Sequence, residues 1–260
     1  MLLEVKQLGI AYGRRRPIVR DVSFTLDAGK VLAIVGESGS GKTTVIRSIM
    51  HILPGGGHIA EGTVLFQGED TRAQPPARRR KLCGPDMSMI FQDCGAMMNP
   101  IRSIGRQFRD YLSIHGVKNP AEAHALMTSM LAMVRLPDPE RILKSYPFEL
   151  SGGMRQRVGI AFAMALRPKL LLADEPTSAL DVTTQAQIVK EMMDASRSVN
   201  TAILIVTHNL GVAAYMADRI LVMKDGRPVE YGPAEDVIYR PQTDYTRQLL
   251  AAVPGPGGLS

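Results

Sequence analysis

Gly36-Glu37-Ser38-Gly39-Ser40-Gly41-Lys42-Thr43 follows the short apolar run Val31-Leu32-Ala33-Ile34-Val35 and leads into a helix-like segment. The pattern reads as a phosphate-binding loop between a strand and a helix. Its glycines let the backbone fold tightly enough for successive N–H groups to face one anion, and a helix beginning near Gly41 adds the positive end of its dipole. Lys42 brings a point charge for outer phosphates, and the Thr43 hydroxyl is placed to ligate Mg²⁺. A Gly-rich turn with an incidental lysine is the bland alternative, and the strand-then-helix setting argues against it.

With 260 residues, 45% of them hydrophobic, the chain is long enough to bury a substantial core, as one large α/β domain or two small ones. No apolar run approaches the ~20 residues of a membrane-spanning helix. Short ones such as Ala202 to Val206 and Leu170 to Ala173 have the length of buried parallel strands. The N-terminus lacks the basic-then-apolar layout of a signal peptide, so a cytoplasmic chain is expected. Cys83 and Cys94 are the only cysteines and build no disulfide framework. The net charge of +6 concentrates at Arg14-Arg15-Arg16 and Arg78-Arg79-Arg80-Lys81, both in loop-like stretches, and no aromatic interleaving supports a nucleic-acid partner.

Along the chain, Leu3 to Leu8 and Ile18 to Leu26 read as strands, and the helix after the phosphate loop extends to about Leu53, where Pro54-Gly55-Gly56-Gly57 breaks it. Thr63 to Phe66 is a strand, Arg72 to Pro85 a basic surface connection, and Met87 to Phe91 an apolar run ending at Gln92. From Ile101 to about Arg135 the spacing turns helical, with Phe108, Leu112, Ala123, Leu126, Met130, Met133 and Val134 on one broad face. Strands and helices alternate from Lys169 onward, which implies parallel strands with crossover helices, and Asp225-Gly226 marks a hairpin at a sheet edge.

Leu170-Leu171-Leu172-Ala173-Asp174-Glu175 is a buried strand ending in two carboxylates. A carboxylate beside a phosphate loop is where a Mg²⁺ shell needs negative charge, which suits Asp174, while strand alternation aims Glu175 elsewhere, toward a water that could attack a terminal phosphorus. Leu150-Ser151-Gly152-Gly153-Met154-Arg155-Gln156-Arg157 places an N-capping serine and two open glycines at the start of a helix running to about Leu166. This is a second anion site or a simple capped helix, and local physics does not decide whether both sites serve one nucleotide.

With these motifs in this order, the chain resembles an ATP-binding cassette (ABC) ATPase over nearly its whole length. The resemblance implies an α/β fold: a P-loop NTPase (RecA-like) core with an antiparallel β subdomain and an inserted α-helical subdomain at about 95–160, all within 1–235, followed by a tail at 236–260. It implies ATP and Mg²⁺ as ligands, with Gly36, Glu37, Ser38, Gly39, Ser40, Gly41, Lys42, Thr43 and Thr44 around the phosphates. Gln92 resembles the family's Q-loop glutamine, and it joins Thr43 and Asp174 at the metal and Glu175 and His208 in catalysis. His208 resembles the switch histidine, though a plain helix-start histidine is its alternative. Tyr12 sits where an aromatic ring stacks on adenine, or is an ordinary strand aromatic. Ser178-Ala179-Leu180-Asp181 resembles the D-loop. Two such domains pair head to tail in the family, so Ser151, Gly152, Gly153 and Asp181 face the nucleotide of the other subunit.

Ser145 to Glu149, Ile90 to Asp93 with Asn99-Pro100, and the tail Arg240 to Leu250 resemble importers for dipeptides, oligopeptides and nickel, and Phe148-Glu149 looks more like the nickel branch. Thr243-Asp244 departs from the usual His-Pro of that tail, and Cys94 to Met98 departs after the Q-loop. No cysteine-rich extension appears, so no iron–sulfur cluster is expected. The resemblance implies two transmembrane permease subunits, a second, paralogous ATPase subunit, an extracytoplasmic substrate-binding protein, and a peripheral position on the cytoplasmic face of the inner membrane. The competing class is a soluble ABC ATPase in DNA repair, translation or cluster assembly. It fits less well, because the interval between loop and signature shows no sustained heptads.

Overall fold

The computed structural model describes residues 1–13, 16–178 and 180–252; Arg14 and Arg15 of the first basic block, Ala179 and the end of the tail lie outside the described residues. The chain forms two compact units. The first takes Met1–Lys81, Leu172–Glu175 and the described residues from Ala202 onward; the second takes Leu82–Leu171 and Pro176–Thr201.

In the first unit β1 (Leu3–Tyr12) and β2 (Val19–Leu26) pair antiparallel, and β3 (Val31–Val35), buried at every residue, runs into the phosphate loop and α1 (Lys42–Ile49). β4 (Gly57–Phe66) and β5 (Glu69–Asp70) complete an antiparallel sheet of order β2-β1-β4-β5. α1 stops short of Leu53. His51 turns left-handed at φ 56°, and the N–H groups of His51 and Ile52 return to the carbonyls of Ser48 and Arg47 at 3.0 and 3.1 Å. This is a helix end that glycine usually makes, which is why the Pro-Gly run downstream drew the sequence reading too far. The basic stretch expected as a loop instead contains α2 (Pro76–Leu82), none of whose residues is buried. Proline suits a first turn and Arg and Lys are good helix formers, but with no buried face there is no apolar period to read.

The second unit begins with β6 (Met87–Ile90), followed by the one-turn α3 (Cys94–Met97), α4 (Ile104–Ile114), α5 (Pro120–Met133) and α6 (Pro139–Lys144). α7 (Gly152–Met164) packs against α3 and α5. The contact with α3 is close: a Cβ on Gly159 would lie 2.4 Å from the Cys94 sulfur. Phe108 of α4, fully buried, stacks on Phe162 of α7 with ring centres 4.1 Å apart. α4 carries the expected face, but α5 buries Ala123, Met127 and Leu131 and leaves Leu126, Met130 and Met133 half-buried. Its apolar residues occur on all sides, so packing rather than sequence period selects the face.

β7 (Leu170–Asp174) divides between the units, its start beside β6 in the second. α8 (Val182–Val199) closes the second unit, and the chain returns to the first with β8 (Ala202–Thr207), α9 (Leu210–Met216), β9 (Arg219–Lys224) and β10 (Arg227–Pro233). There the order is β10-β9-β3-β8 and the end of β7. β3 is parallel to both β8 and β9, with Val35 opposite Thr207, so the phosphate loop and His208 leave adjacent strands at their carboxyl ends, where ligands bind in open α/β sheets. β9 and β10 form the expected edge hairpin through Asp225-Gly226. α10 (Ala234–Tyr239) and α11 (Asp244–Ala251) form the described part of the tail. Among the described residues, no helix is long and apolar enough to cross a membrane.

Phe108→Ala removes a stacked, fully buried ring and should cost about 3–5 kcal/mol of stability, the usual range for such a truncation, as read by urea unfolding.

Candidate active site

The phosphate loop starts at Gly36, whose φ of 148° and position suit glycine: a Cβ would meet the Met223 carbonyl oxygen at 2.2 Å. Lys42, only 4% exposed, folds back over the loop and donates from Nζ to the carbonyl oxygens of Gly36 at 2.8 Å and Glu37 at 2.7 Å, with Ser40 Oγ at 3.4 Å. Burial lowers its pKa, opposed by the charges of Glu175, Asp174 and Glu37. Ser38 and Gly39 form the loop's outer bend. Gly41 caps α1, whose first-turn N–H groups, those of Lys42, Thr43 and Thr44 among them, have no acceptor within the helix.

Thr43 Oγ1 donates to Asp174 Oδ1 at 2.7 Å, and Arg47, one turn further on, brings Nη2 to 3.5 Å from Oδ2. Asp174 is fully buried. One hydroxyl and one carboxylate make a hard oxygen pair of the kind that suits Mg²⁺, so these residues fit that ion. Glu175 follows with φ 46°, its N–H bonded to the Val206 carbonyl at 2.9 Å, so a left-handed residue rather than strand alternation redirects it. Its Oε2 lies 3.2 Å from His208 Nδ1. Tyr12 ends β1 opposite Gly57, with its ring so close that a Cβ on Gly57 would lie 2.8 Å from it. The first unit thus gathers the loop, Asp174, Glu175 and His208 around the carboxyl ends of its strands.

The second unit holds the remaining candidates. Gln92 is exposed just after β6, and Asp93 caps α3 by accepting the Ala96 N–H at 2.9 Å. Ser151 caps α7, accepting the Met154 N–H at 3.3 Å. Asp181 caps α8, taking the Thr184 N–H at 3.0 Å and hydroxyl at 2.7 Å, and these bonds hold its carboxyl below the usual range. Ser151, Gly152, Gly153 and Asp181 line one cavity of ≈ 470 Å³. The sequence reading did not bring out Arg47, and it placed Gln156 in the motif from Leu150 without foreseeing its contact, a donation to the Pro176 carbonyl at 2.6 Å directly after Glu175. Arg47's spacing of four from Thr43 was a usable signal; the Gln156 contact left none.

Residues 19–178 match the ABC transporter family. The chain belongs to that family. It is an ABC ATPase with the P-loop α/β fold. Over 97% of its length it is 44% identical to the oligopeptide transport ATP-binding protein OppD of Bacillus subtilis, covering 72% of that protein. It is 42% identical to the dipeptide transport ATP-binding protein DppD of the same organism, covering 97% of this chain and 77% of that protein. The solved dimeric structure of the ATP-binding cassette MJ0796, in a post-hydrolysis state bound to ADP and Pi, is similar at a TM-score of 0.78 and 26% identity, covering 90% of this chain and 99% of that one.

Burial pushes the Asp174 carboxyl up, and the Thr43 bond and the Arg47 charge offset this only in part. The folded chain therefore holds this proton more tightly than the unfolded chain, and the contribution to stability is lost as pH rises from the ordinary value of 3.8 through the raised one. Asp174→Asn keeps an oxygen for Thr43 and removes the charge. In buffer free of nucleotide and divalent metal it should melt above wild type at neutral pH, and the gap should close below pH 3.8, as followed by thermal melting.

Proposed function

We propose that this chain is one of two ATP-hydrolysing subunits of an importer that carries peptides through two membrane permease subunits. The observation behind this reading is the match over nearly the whole chain to proteins named for oligopeptide and dipeptide transport. Those names lend no support to nickel as cargo, or to a soluble role in DNA repair, translation or cluster assembly. In this reading the chain is peripheral on the cytoplasmic face of the membrane, an extracytoplasmic binding protein delivers the cargo, and no nucleic acid takes part.

Gly36 to Thr44 hold the phosphates of ATP, and Tyr12 stacks on the adenine. Thr43 and Asp174 would hold Mg²⁺, which when bound neutralises charge on the outer phosphates, and the resemblance gives Gln92 the Q-loop role. Glu175 takes a proton from the attacking water, with His208 beside its carboxylate to orient it and to sense the terminal phosphate. Ser151, Gly152, Gly153 and Asp181 serve the ATP held by a paralogous second subunit packed head to tail. ATP binding closes the pair and hydrolysis reopens it, biasing the permease between its access states. Met89, Phe91, Met97, Tyr111 and Phe162 line an apolar groove of ≈ 210 Å³ in the second unit, and Met97 is 63% exposed, which suits it to receive a short permease helix.

Glu175→Gln should preserve ATP binding and cut turnover of the assembled transporter by at least ~10²-fold, the scale for losing a positioned proton acceptor. Near-normal ATPase activity would remove Glu175 from this role. For the signature, Gly153→Asp is sterically mild, since a Cβ there meets only Thr184 Cγ2, at 3.2 Å. Its carboxylate repels phosphate at a helix N-terminus. Nucleotide titration of the isolated variant should give an affinity within about threefold of wild type, under ~0.7 kcal/mol, while transporter turnover collapses. A tenfold or larger loss in the isolated chain would show that Ser151 to Gly153 act on the chain's own nucleotide.

A further inference from the structure

The tail's last described helix folds back onto the phosphate loop. Tyr245 of α11 is 9% exposed, and its hydroxyl oxygen accepts the Glu37 N–H at 3.3 Å. The ring is held by Lys224, whose Nζ lies 4.7 Å from its centre and which follows the Met223 that touches Gly36. α11 is in turn anchored to β10. Glu230 accepts the N–H of Gln242 at 2.8 Å and both the N–H and the hydroxyl of Thr243, at 3.2 and 3.1 Å, and Thr243 caps the helix by accepting the Thr246 N–H at 3.2 Å. Burial pushes the Tyr245 phenol up, so it stays a neutral hydroxyl at physiological pH.

Glu37 is therefore fixed at both of its backbone polar groups, the N–H by the tail and the carbonyl by Lys42 at 2.7 Å. A loop that presents N–H groups to phosphates binds more tightly when its conformation is set beforehand. We propose that Tyr245 is a positioning residue for the ATPase, its hydroxyl setting the entry bend of the phosphate loop so that the C-terminal tail tunes nucleotide affinity. The proposal rests on Gly36 to Thr44 being the nucleotide site.

Tyr245→Phe keeps the ring and deletes only the hydroxyl. In the full chain, amide hydrogen exchange at Glu37 should accelerate while that of Ile46 and Ile49 in α1 is unchanged, with the melting temperature retained. The dissociation constant for ATP should rise about threefold to tenfold, the range for one lost hydrogen bond. In the assembled transporter, KM for ATP should rise with kcat kept. Unchanged exchange at Glu37, or unchanged affinity, overturns the proposal. If Tyr245→Phe melts early, Glu230→Ala, which loosens α11 without altering the ring, is read by the same two measurements. Lys42→Ala separates the premises: if it still binds ATP, the site assignment fails and the proposal with it. If it loses ATP while Tyr245→Phe binds normally, only the positioning role fails.

Discussion

Asp174 is a carboxylate with no exposure to solvent, and a buried charge needs donors. It finds them in Thr43 and Arg47, on successive turns of α1. That requirement ties the end of β7 to the start of the helix that follows the phosphate loop. With β3 and β8 in parallel register, the loop, Glu175 and His208 then fall at neighbouring strand ends. The cost is a carboxyl held partly toward its protonated form. A divalent cation beside it would reverse that balance, which is a reason for the site to tolerate an arrangement unfavourable to the bare fold.

Much of the first unit was legible because its signals are local. The phosphate loop, the Asp174-Glu175 strand end and the Asp225-Gly226 hairpin each depend on residues close in sequence, and each motif carries its own geometry. The signature and D-loop caps were equally local, since Ser151 and Asp181 each bond a backbone N–H three residues on. What failed was set by distant neighbours or by no burial at all. The α5 face is chosen by what it packs against, α2 buries nothing, and the end of α1 depends on a histidine accepting a left-handed backbone. The contact between Tyr245 and Glu37 spans 208 residues and has no sequence signature, although the tail that carries it was recognisable as a unit.

In the second unit the glycine turn at Gly152-Gly153 owes its orientation to the helix behind it. α7 is capped at Ser151, bonded through Gln156 to Pro176, and paired through Arg157 Nε with Glu191 of α8 at 3.4 Å. Glu191 is 2% exposed, and burial pushes its carboxyl up. Such a pair is a modest source of stability when intact and a large penalty when one partner is lost. A helix start without side chains of its own is thus held by polar contacts spread along less than two turns of helix.

The packing of Cys94 against Gly159 bears on the redox chemistry of the chain. Burial drives the Cys94 thiol up to about 12, and Cys83 shifts in the same direction for the same reason. Alkylation, disulfide exchange and peroxide oxidation all proceed through the thiolate, which is scarce at the Cys94 value. Buried Cys94 is therefore poorly reactive toward maleimides in the folded protein, whereas Cys83 is the more accessible of the two. With Cys83 replaced, a single cysteine introduced on an exposed surface would carry a probe, with the Cys94–Gly159 contact left in place.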